Sequence, residues 1–509
     1  MTDRRRYLLA LGAVLVIAFV VRMLVAIAMP NMLWPDEVFQ SLEQGHRFAF
    51  GYGVTPWEFR TGARSWMLPG LLGLVMKATA WVSNSAAAYL AACAGVLSLM
   101  SLAPVWASFR LAFREAGLRG ALVAGLFASL WFELIYFAPK ALSEAVGGNL
   151  LAFGTVLALL IRDGDETPTR GKVIAVSAAL TMSCMLRMQL AVAAFVIFVI
   201  VVRKLARPLQ LAAVITGAVV FLGAGLVDWI TWDYPFQSYI ENLKFNVIEG
   251  KGATYGIAPW YAYFEVYGRI WGFWLVPILG LAVVGGRRAP LVALAALLVL
   301  VAHVPMAHKE YRFAYPAMVL VVILAGLGAA RLLGKLAERR EARTVNIAAF
   351  GLVAVWFAAS AAGAAGFHGD KTQLASVWNY EQDNWARRRG GLLALQRAGE
   401  NEAVCGVALA GVGWGDTGGY TYLHRRIPIF PFYRKDVLWK WLPHFNVMIT
   451  NPRQPATIGP FTRAECWADA CLYERPGECV PVEFNINTVI ERYDNRPIED
   501  VAAPDVPVY

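Results

Sequence analysis

Long apolar runs separated by short basic loops dominate this chain and restrict it to one class of fold. The runs recur between residues 7 and 366, and many of them approach the roughly 20 residues needed to cross a bilayer. Charged residues make up 16% of the chain, against about 25% in a typical soluble protein, and the mean hydropathy is +0.50. The sequence therefore predicts an all-α polytopic membrane protein and excludes a soluble one.

Basic residues indicate which loops face the cytoplasm, because loops rich in Lys and Arg stay on that side. Arg4–Arg6 precede the first apolar run. The later basic loops lie on the same, cytoplasmic side of the membrane as Arg4–Arg6 only if the segment 65–83, which contains Pro69 and Lys77, does not cross. We therefore expect 65–83 to be membrane-embedded or interfacial within a first external loop at 30–85. Eleven segments remain as predicted transmembrane helices: 7–29, 86–108, 120–137, 142–161, 173–186, 189–202, 209–232, 264–284, 289–306, 313–331 and 345–366.

This topology makes residues 1–366 a transmembrane domain and places the polar tail, 367–509, outside the cytoplasm. Strand-like runs at 403–409 and 445–450 predict that the tail is a small α/β domain. The net charge of +10 follows the basic loops and forms no single patch, so no nucleic-acid partner is indicated.

Four cysteines lie in the tail, at Cys405, Cys466, Cys471 and Cys479. Their loose spacing does not fit a zinc site. In an extracytoplasmic domain, disulfides are the expected state of such cysteines. The sequence contains no phosphate-binding loop and no clear dinucleotide fingerprint, so we predict neither a metal nor a cofactor.

Two adjacent carboxylates, Asp36 and Glu37, follow the first apolar segment. A carboxylate near the interface has a pKa raised by partial desolvation and can act as a general base. The alternative is a helix cap, since acids stabilise the start of a helix such as the amphipathic segment 38–47. Both interpretations hold together if the cap fixes one carboxylate and leaves the other for chemistry.

A second cluster of charges, His308, Lys309, Glu310 and Arg312, lies between two apolar segments. Basic groups this close can bind a phosphate. The alternative is snorkelling of the two long basic chains with the Glu as ion-pair partner. Nearly all ionisable groups at membrane depth fall on one side, whereas a transporter would use both faces and a midplane site. The distribution favours an active site at the outer surface.

The stretch 244–263 is rich in glycine and aromatic residues, including Asn246, Tyr255 and Trp260. Glycines permit tight turns close to a ligand, and aromatic rings can stack on sugars. An interfacial aromatic belt is the alternative that composition alone favours.

Four segments resemble the Alg9-like mannosyltransferases, glycosyltransferase family 22, and they occur in the family's order. "WPDEVFQSLEQGHRFAFGYGVTPWEFRTGARSWMLP" (34–69) is similar to the family's first external loop, which carries His-Pro-Asp-Glu-x-x-Gln-x-x-Glu. "FNVIEGKGATYGIAPWYAYF" (245–264), "HKEYRFAYP" (308–316) and "GYTYLHRRIPI" (419–429) resemble later family motifs. The likeness is strongest to the branch that builds glycosylphosphatidylinositol (GPI) anchors.

The resemblance implies a GT-C fold of about 11 transmembrane helices whose first external loop carries the catalytic acid. It also implies an inverting mannosyl transfer on the extracytoplasmic face, without a metal. The donor would be a polyprenyl-phosphate sugar, and the acceptor a lipid-linked glycan or other glycan, with membrane lipids around both.

On this basis we expect Asp36 to be the base and Glu37 to orient it or to bind the acceptor. The expected donor-phosphate ligands are His308, Lys309, Arg312, Arg64 and Arg187. The expected substrate-binding residues are Gln40, Glu58, Asn246, Tyr255, Trp260 and Glu310.

The chain departs from the family at Trp34, where the family has His, and at 140–144, where Lys-Ala-Leu-Ser-Glu replaces an Arg-x-Leu-x-Asn pattern. A GT-C transferase for another sugar, such as arabinose or glucose, remains an alternative. A lipid or glycan transporter and a structural subunit with a degenerate site are further alternatives. Composition favours a bacterial plasma membrane with the tail in the periplasm, and the endoplasmic reticulum is the alternative.

Overall fold

The computed structural model describes residues 3–374, 382–432 and 435–494. Contacts divide the chain into two compact units. The first unit contains residues 1–26 and 94–382, and the second contains residues 27–93 and 383–509. The division differs from the split at residue 366 that the sequence suggested, because the first external loop groups with the tail. The functional domain assignment itself stays a prediction.

The first unit is helical, and several of its helices begin with proline, whose fixed φ suits the first turn. Its longer helices are Asp3–Ala28, which ends in the second unit, Ala103–Leu130, Ser143–Asp163, Arg170–Leu186, Ala191–Val202, Arg207–Thr231, Ala262–Trp271, Leu275–Gly286, Pro290–His303, Tyr315–Ala337 and Ala342–Ala365. Shorter helical turns span Phe132–Phe137, Met188–Leu190, Gln237–Leu243, Lys244–Ile248, Lys251–Tyr255, Gly272–Trp274, Tyr311–Ala314 and Gly369–Thr372.

Each of the eleven apolar segments predicted to cross the membrane lies on helix. Seven helical stretches in the described residues are long and apolar enough to span a bilayer, which confirms a multispanning membrane protein. The sequence also located the interruption at Arg187, whose extended backbone (φ −148°, ψ 102°) separates two helices. The number of crossings and their orientation stay predictions.

The first part of the second unit carries the first external loop. Its helices span Pro35–Glu37, Val38–Leu42, Glu43–Phe50, Trp57–Arg60 and Met67–Ala80, and helix Ala86–Met100 leads into the first unit. The middle turn, Val38–Leu42, is a π-turn inside one continuous helix. Met67–Ala80 has 14 residues, well short of the roughly 20 that a span requires. It is the segment that the charge distribution excluded from crossing.

The tail contains a six-stranded sheet, which confirms a small α/β domain. We label the strands β1 (Val407–Ala410), β2 (Ile429–Phe432), β3 (Val447–Thr450), β4 (Thr457–Ile458), β5 (Phe461–Cys466) and β6 (Cys471–Glu474). They lie in the order β2-β1-β3-β6-β5-β4, and β1 pairs in parallel with both neighbours while the later pairs are antiparallel. The tail's helical elements span Arg389–Glu400, Trp414–Asp416, Gly419–Leu423, Lys435–Lys440, Leu442–His444 and Ile486–Asp494.

One apolar core explains why the first external loop and the sheet form a single unit. Met32, Val38 and Phe39 from the loop pack with Leu392 and Leu395 of helix Arg389–Glu400 and with the inner face of the sheet. All five side chains are at most 2% exposed, so burial of their apolar surface stabilises the assembly.

All four cysteines of the tail are paired. Cys405 bonds to Cys479, and Cys466 bonds to Cys471 across the end of the β5–β6 pair. The disulfides expected for an extracytoplasmic tail are therefore present.

Candidate active site

The helix that begins at Pro35 carries two adjacent carboxylates, and Glu37 caps its start. Glu37 is buried, and its Oε1 accepts the backbone N–H groups of Leu33 (2.6 Å) and Trp34 (3.2 Å). Those N–H groups have no intrahelical partner at a helix start. Asp36 is only partly buried. The capping interpretation thus applies to Glu37.

Three further predicted residues gather around Asp36 within the second unit. Glu58 is buried and its Oε1 accepts from Gln40 Nε2 at 2.6 Å. The pKa of Glu58 is about 7, raised first by burial and next by the charge of Asp36, while Arg64 opposes the rise. Two interacting carboxylates beside one guanidinium can hold and exchange a proton near neutral pH.

Glu43, the last Glu of the family's Pro-Asp-Glu-x-x-Gln-x-x-Glu pattern, received no predicted role, and it ties this helix to the tail. Its side chain is fully buried. Oε1 accepts the backbone N–H groups of Val54 (2.7 Å) and Tyr420 (3.0 Å), and Oε2 accepts the N–H and the hydroxyl of Thr421. Burial raises the pKa of Glu43, and these hydrogen bonds oppose the rise.

One turn further along the same helix, His46 contacts a histidine of the tail. His46 Nε2 lies 3.1 Å from His424 Nδ1, and His46 Nδ1 donates to the carbonyl of Tyr52 at 3.0 Å. Burial lowers the pKa of His46 to about 3. His424 has a left-handed backbone (φ 46°), which the surrounding contacts must hold in place because it is strained for a non-glycine residue. The late motif at 419–429 therefore contacts the helix that begins at Pro35.

The first unit contains four of the five predicted phosphate-binding residues, all except Arg64, together with an acid that the site prediction missed. Glu144 Oε1 lies 3.2 Å from Arg187 Nη1 and 3.8 Å from Arg312 Nε. Arg312 also pairs with Glu310 Oε2 at 2.7 Å, and His308 Nε2 lies 3.0 Å from Glu310 Oε1. Glu144, Arg187 and Arg312 are each less than 9% exposed.

The charges of this cluster set its protonation. Burial alone would raise the pKa of Glu310, but Arg312 and His308 outweigh it and hold that pKa at about 2. Burial alone would lower the pKa of His308, but the hydrogen bond to Glu310 raises it overall. The cluster thus keeps cationic groups in a poorly hydrated place, where a phosphate can exchange with the carboxylates.

Lys309 joins the cluster to the glycine-rich stretch. Its buried Nζ donates to the carbonyls of Ala258 (3.1 Å) and Met306. His308 Nδ1 lies 3.0 Å from the carbonyl of Gly256, whose φ of 106° requires glycine. Because an ammonium group has three donors, the two carbonyls leave Lys309 one N–H for a ligand.

The aromatic residues predicted to bind substrate are exposed. Tyr255 is 50% exposed, with its ring 6.0 Å from that of His308, and Trp260 is 64% exposed. Asn246 is exposed and donates to the carbonyl of Asn242 at 3.1 Å. The structure thus brings Tyr255 near the charge cluster. The exposure of Trp260 agrees with the interfacial belt that the composition favoured.

Apart from the exposed Asn246 and Trp260, the predicted residues therefore form two clusters, each within one unit. Asp36, Glu37, Gln40, Glu58 and Arg64 belong to the second unit, and the remaining predicted residues belong to the first. A sequence signal for Glu144 existed, because an acid at membrane depth requires a partner. Glu43 ends the family pattern that begins at Pro35, but the pattern gave it no role, because its partners are mostly backbone N–H groups distant in the chain.

Comparison with known proteins decides the family. The sequence model of the Alg9-like mannosyltransferase family matches residues 13–383. The chain belongs to the Alg9-like mannosyltransferase family. The matched region includes both clusters and ends where most of the tail begins.

Two relatives of this Alg9-like chain carry names of mannosyltransferases. GPI mannosyltransferase 3 of Yarrowia lipolytica is 30% identical over 315 residues, which cover 60% of this chain and 59% of that protein. Mannosyltransferase APTG1 of Arabidopsis thaliana is 28% identical over 308 residues, which cover 58% and 55%. The aligned region thus spans less than three fifths of each relative. The likeness to the GPI branch that the motifs indicated is confirmed.

A solved structure supports the fold of this Alg9-like chain. ArnT from Cupriavidus metallidurans, determined with bound undecaprenyl phosphate, superposes with a TM-score of 0.58 at 14% identity. The match covers 93% of this chain and 99% of that one. Together with the family match, it confirms the GT-C fold class expected from the motifs.

Proposed function

We propose that this chain is a membrane mannosyltransferase that uses a polyprenyl-phosphate mannose donor and a lipid-linked glycan or other glycan acceptor. The observation that carries the proposal is the environment of Asp36 in a member of this family. Its helix is fixed by Glu37 and Glu43, and a buried carboxyl, Glu58, interacts with it. A positioned carboxylate of this kind is suited to remove a proton from a hydroxyl.

In the proposed reaction, Asp36 accepts the proton of the acceptor hydroxyl. The hydroxyl oxygen attacks the anomeric carbon of the donor from the face opposite the phosphate, so the configuration inverts. The bond between the anomeric carbon and the phosphate oxygen breaks, and its electron pair stays on the phosphate. Glu58 and Arg64 set the charge around Asp36, and Gln40 fixes Glu58.

The departing phosphate gains one negative charge as its diester becomes a monoester. Arg187 and Arg312 are buried cations suited to stabilise that charge, because fixed charges act strongly where water is excluded. His308 and Lys309 assist them, and Glu144 and Glu310 hold the arginines in position before the donor arrives.

The paired cysteines support a location of the tail in an oxidising compartment. The two relatives come from eukaryotes, so they give no support to the bacterial plasma membrane that composition favoured. The endoplasmic reticulum, the alternative, is consistent with them. We propose an extracytoplasmic tail and active site in a multi-pass membrane protein.

The central experiment is Asp36→Asn in proteoliposomes supplied with polyprenyl-phosphate mannose and a glycolipid acceptor. Loss of the base should lower turnover by about 10²- to 10⁴-fold. Asp233→Asn is the matched control, because Asp233 is exposed in the first unit, and it should retain wild-type turnover. Turnover of Asp36→Asn within about tenfold of wild type would sink the assignment of the base.

Arg312→Lys tests the phosphate cluster independently. Lysine keeps the charge but loses the planar pairing geometry of arginine. We expect a raised KM for the donor together with a lowered kcat. Unchanged kinetics would remove Arg312 from the proposed mechanism.

A further inference from the structure

A buried carboxylate, Glu133, lies in the first unit outside the clusters described above. Its side chain is fully buried. Oε2 accepts the indole N–H groups of Trp131 (2.7 Å) and Trp271 (2.9 Å). Oε1 has no hydrogen-bond partner, and no cation among the described residues pairs with this group. One oxygen of this carboxylate is therefore hydrogen-bonded, and the other can accept a hydrogen bond from a ligand.

Three buried tyrosine hydroxyls share this condition. The hydroxyl groups of Tyr263, Tyr267 and Tyr311 have no hydrogen-bond partner in the described part of the chain. Native proteins satisfy nearly all buried polar groups with protein, water or ligand. Three such hydroxyls and one carboxylate oxygen in the same unit therefore indicate a polar occupant.

Ring contacts join these groups into one row. Tyr263, Tyr267 and Trp271 are spaced four residues apart on helix Ala262–Trp271, so they share one face. The Tyr267 ring lies 5.0 Å from that of Trp271 and 5.6 Å from that of Tyr311. Since the Trp271 indole donates to Glu133, the row ends at the half-satisfied carboxylate.

The other end of the row reaches the arginines. Tyr263 packs in one apolar cluster with Phe313. The guanidinium groups of Arg187 and Arg312 lie 4.4 Å and 5.3 Å from the centre of the Phe313 ring. A row of hydrogen-bonding groups thus begins beside the proposed phosphate cluster and continues into the helical unit.

We propose that Glu133, Tyr263, Tyr267 and Tyr311 bind the hydroxyl groups of the donor sugar and thereby determine sugar specificity. This inference rests on the proposed function, in which the neighbouring arginines bind the donor phosphate. A phosphosugar presents a phosphate next to several hydroxyl groups. The arginines could bind the phosphate, and the carboxylate and phenol groups of the row could bind the hydroxyls. Tyrosine hydroxyls both donate and accept hydrogen bonds, and Oε1 of Glu133 accepts one.

The test compares two ligands, polyprenyl-phosphate mannose and sugar-free polyprenyl phosphate, in detergent-solubilised full-length protein. Tyr267→Phe should raise the Kd of the sugar-bearing lipid about tenfold, and Glu133→Gln should raise it about 10- to 100-fold. The Kd of the sugar-free lipid should change less than twofold. Tyr239→Phe is the matched control, because its hydroxyl already donates to the carbonyl of Met185 at 2.7 Å.

Equal weakening of both lipids, or no change in either, would overturn the inference. Unchanged binding together with a higher melting temperature would show that the row holds only water. If Glu133→Gln does not fold, Tyr263→Phe supplies the same comparison. Absence of wild-type turnover with the mannosyl donor would overturn the proposed function, and the two Kd values would still judge the sugar-binding row. Supporting turnover data would show a lower preference for mannosyl over glucosyl donor in Tyr267→Phe.

Discussion

Glu43 binds the backbone N–H and the hydroxyl of Thr421, a residue 378 positions later in the chain. The same carboxylate binds the backbone of Val54 and Tyr420. One side chain therefore fixes the helix that carries Asp36, the loop that follows it, and the late motif at 419–429. We interpret Glu43 as a positioning residue for Asp36.

Replacing Glu43 with Gln should destabilise the second unit. The amide group turns an N–H toward at least one of the four donors, which leaves buried hydrogen bonds unmade at a cost of about 3 kcal/mol. For a unit of this size we expect the melting temperature to fall by roughly 6–12 °C, measured by tryptophan fluorescence. Exposed Glu400 provides the control, since Glu400→Gln should change stability by less than about 0.5 kcal/mol. Equal melting temperatures of the two variants would contradict the role of Glu43.

Glu58 should make stability depend on pH in the neutral range. Its folded pKa of about 7 lies above the ordinary value of 4.5. The protonated form therefore contributes stability that is fully present below about pH 4.5 and is lost as pH rises through about 7. We expect a loss of up to about 3 kcal/mol across this range. Thermal melts of Glu58→Gln at several pH values should lack this loss, and parallel curves for the two proteins would refute the prediction.

His46 should make stability depend on pH in the opposite direction. Its folded pKa of about 3 lies below the ordinary 6.5. The neutral ring therefore contributes stability that is present above pH 6.5 and is lost as pH falls toward about 3. Below pH 6.5, each pH unit should cost about 1.4 kcal/mol, and the contact with His424 should open. Protection factors for hydrogen exchange at residues 419–424, corrected for the intrinsic pH dependence of exchange, should fall between pH 7.5 and 5 in wild type. In His46→Gln the protection factors should already be low at pH 7.5, and unchanged protection factors in wild type would exclude this behaviour.

The two disulfides should differ in how much they stabilise the folded protein. The Cys405–Cys479 bond closes a segment with a sequence separation of 74, and the Cys466–Cys471 bond closes one with a separation of 5. Chain entropy predicts stabilisation of roughly 4.5 and 2 kcal/mol, respectively. The variant Cys405→Ser/Cys479→Ser should melt at a lower temperature than Cys466→Ser/Cys471→Ser. The reverse order would show that strain or residual structure outweighs loop closure.

The sequence predicted the local features of this molecule well and the distant ones poorly. Apolar runs determined the helices, because membrane insertion requires each one to satisfy its own backbone. The cap at Glu37 was also within reach, since it involves neighbours such as Leu33. The hydrogen bonds of Glu43 to the tail could not be predicted, because its partner Thr421 is distant in the chain and contributes largely through its backbone. The row of tyrosines that ends at Glu133 could not be predicted either, because it forms only when separate helices pack together, and hydropathy does not specify that packing.

The second unit is built from two pieces of chain, residues 27–93 and 383–509. A ribosome working at about 5–20 residues per second needs roughly 15–60 s to synthesise the 290 or so residues between them. During that interval the Asp36 helix emerges without the sheet, the Glu43 partners or the His424 contact. The nascent protein must therefore keep its first loop soluble while later helices insert. Until the tail has been synthesised, the apolar side chains of this loop that pack against the tail, such as Val38 and Phe39, lack their partners.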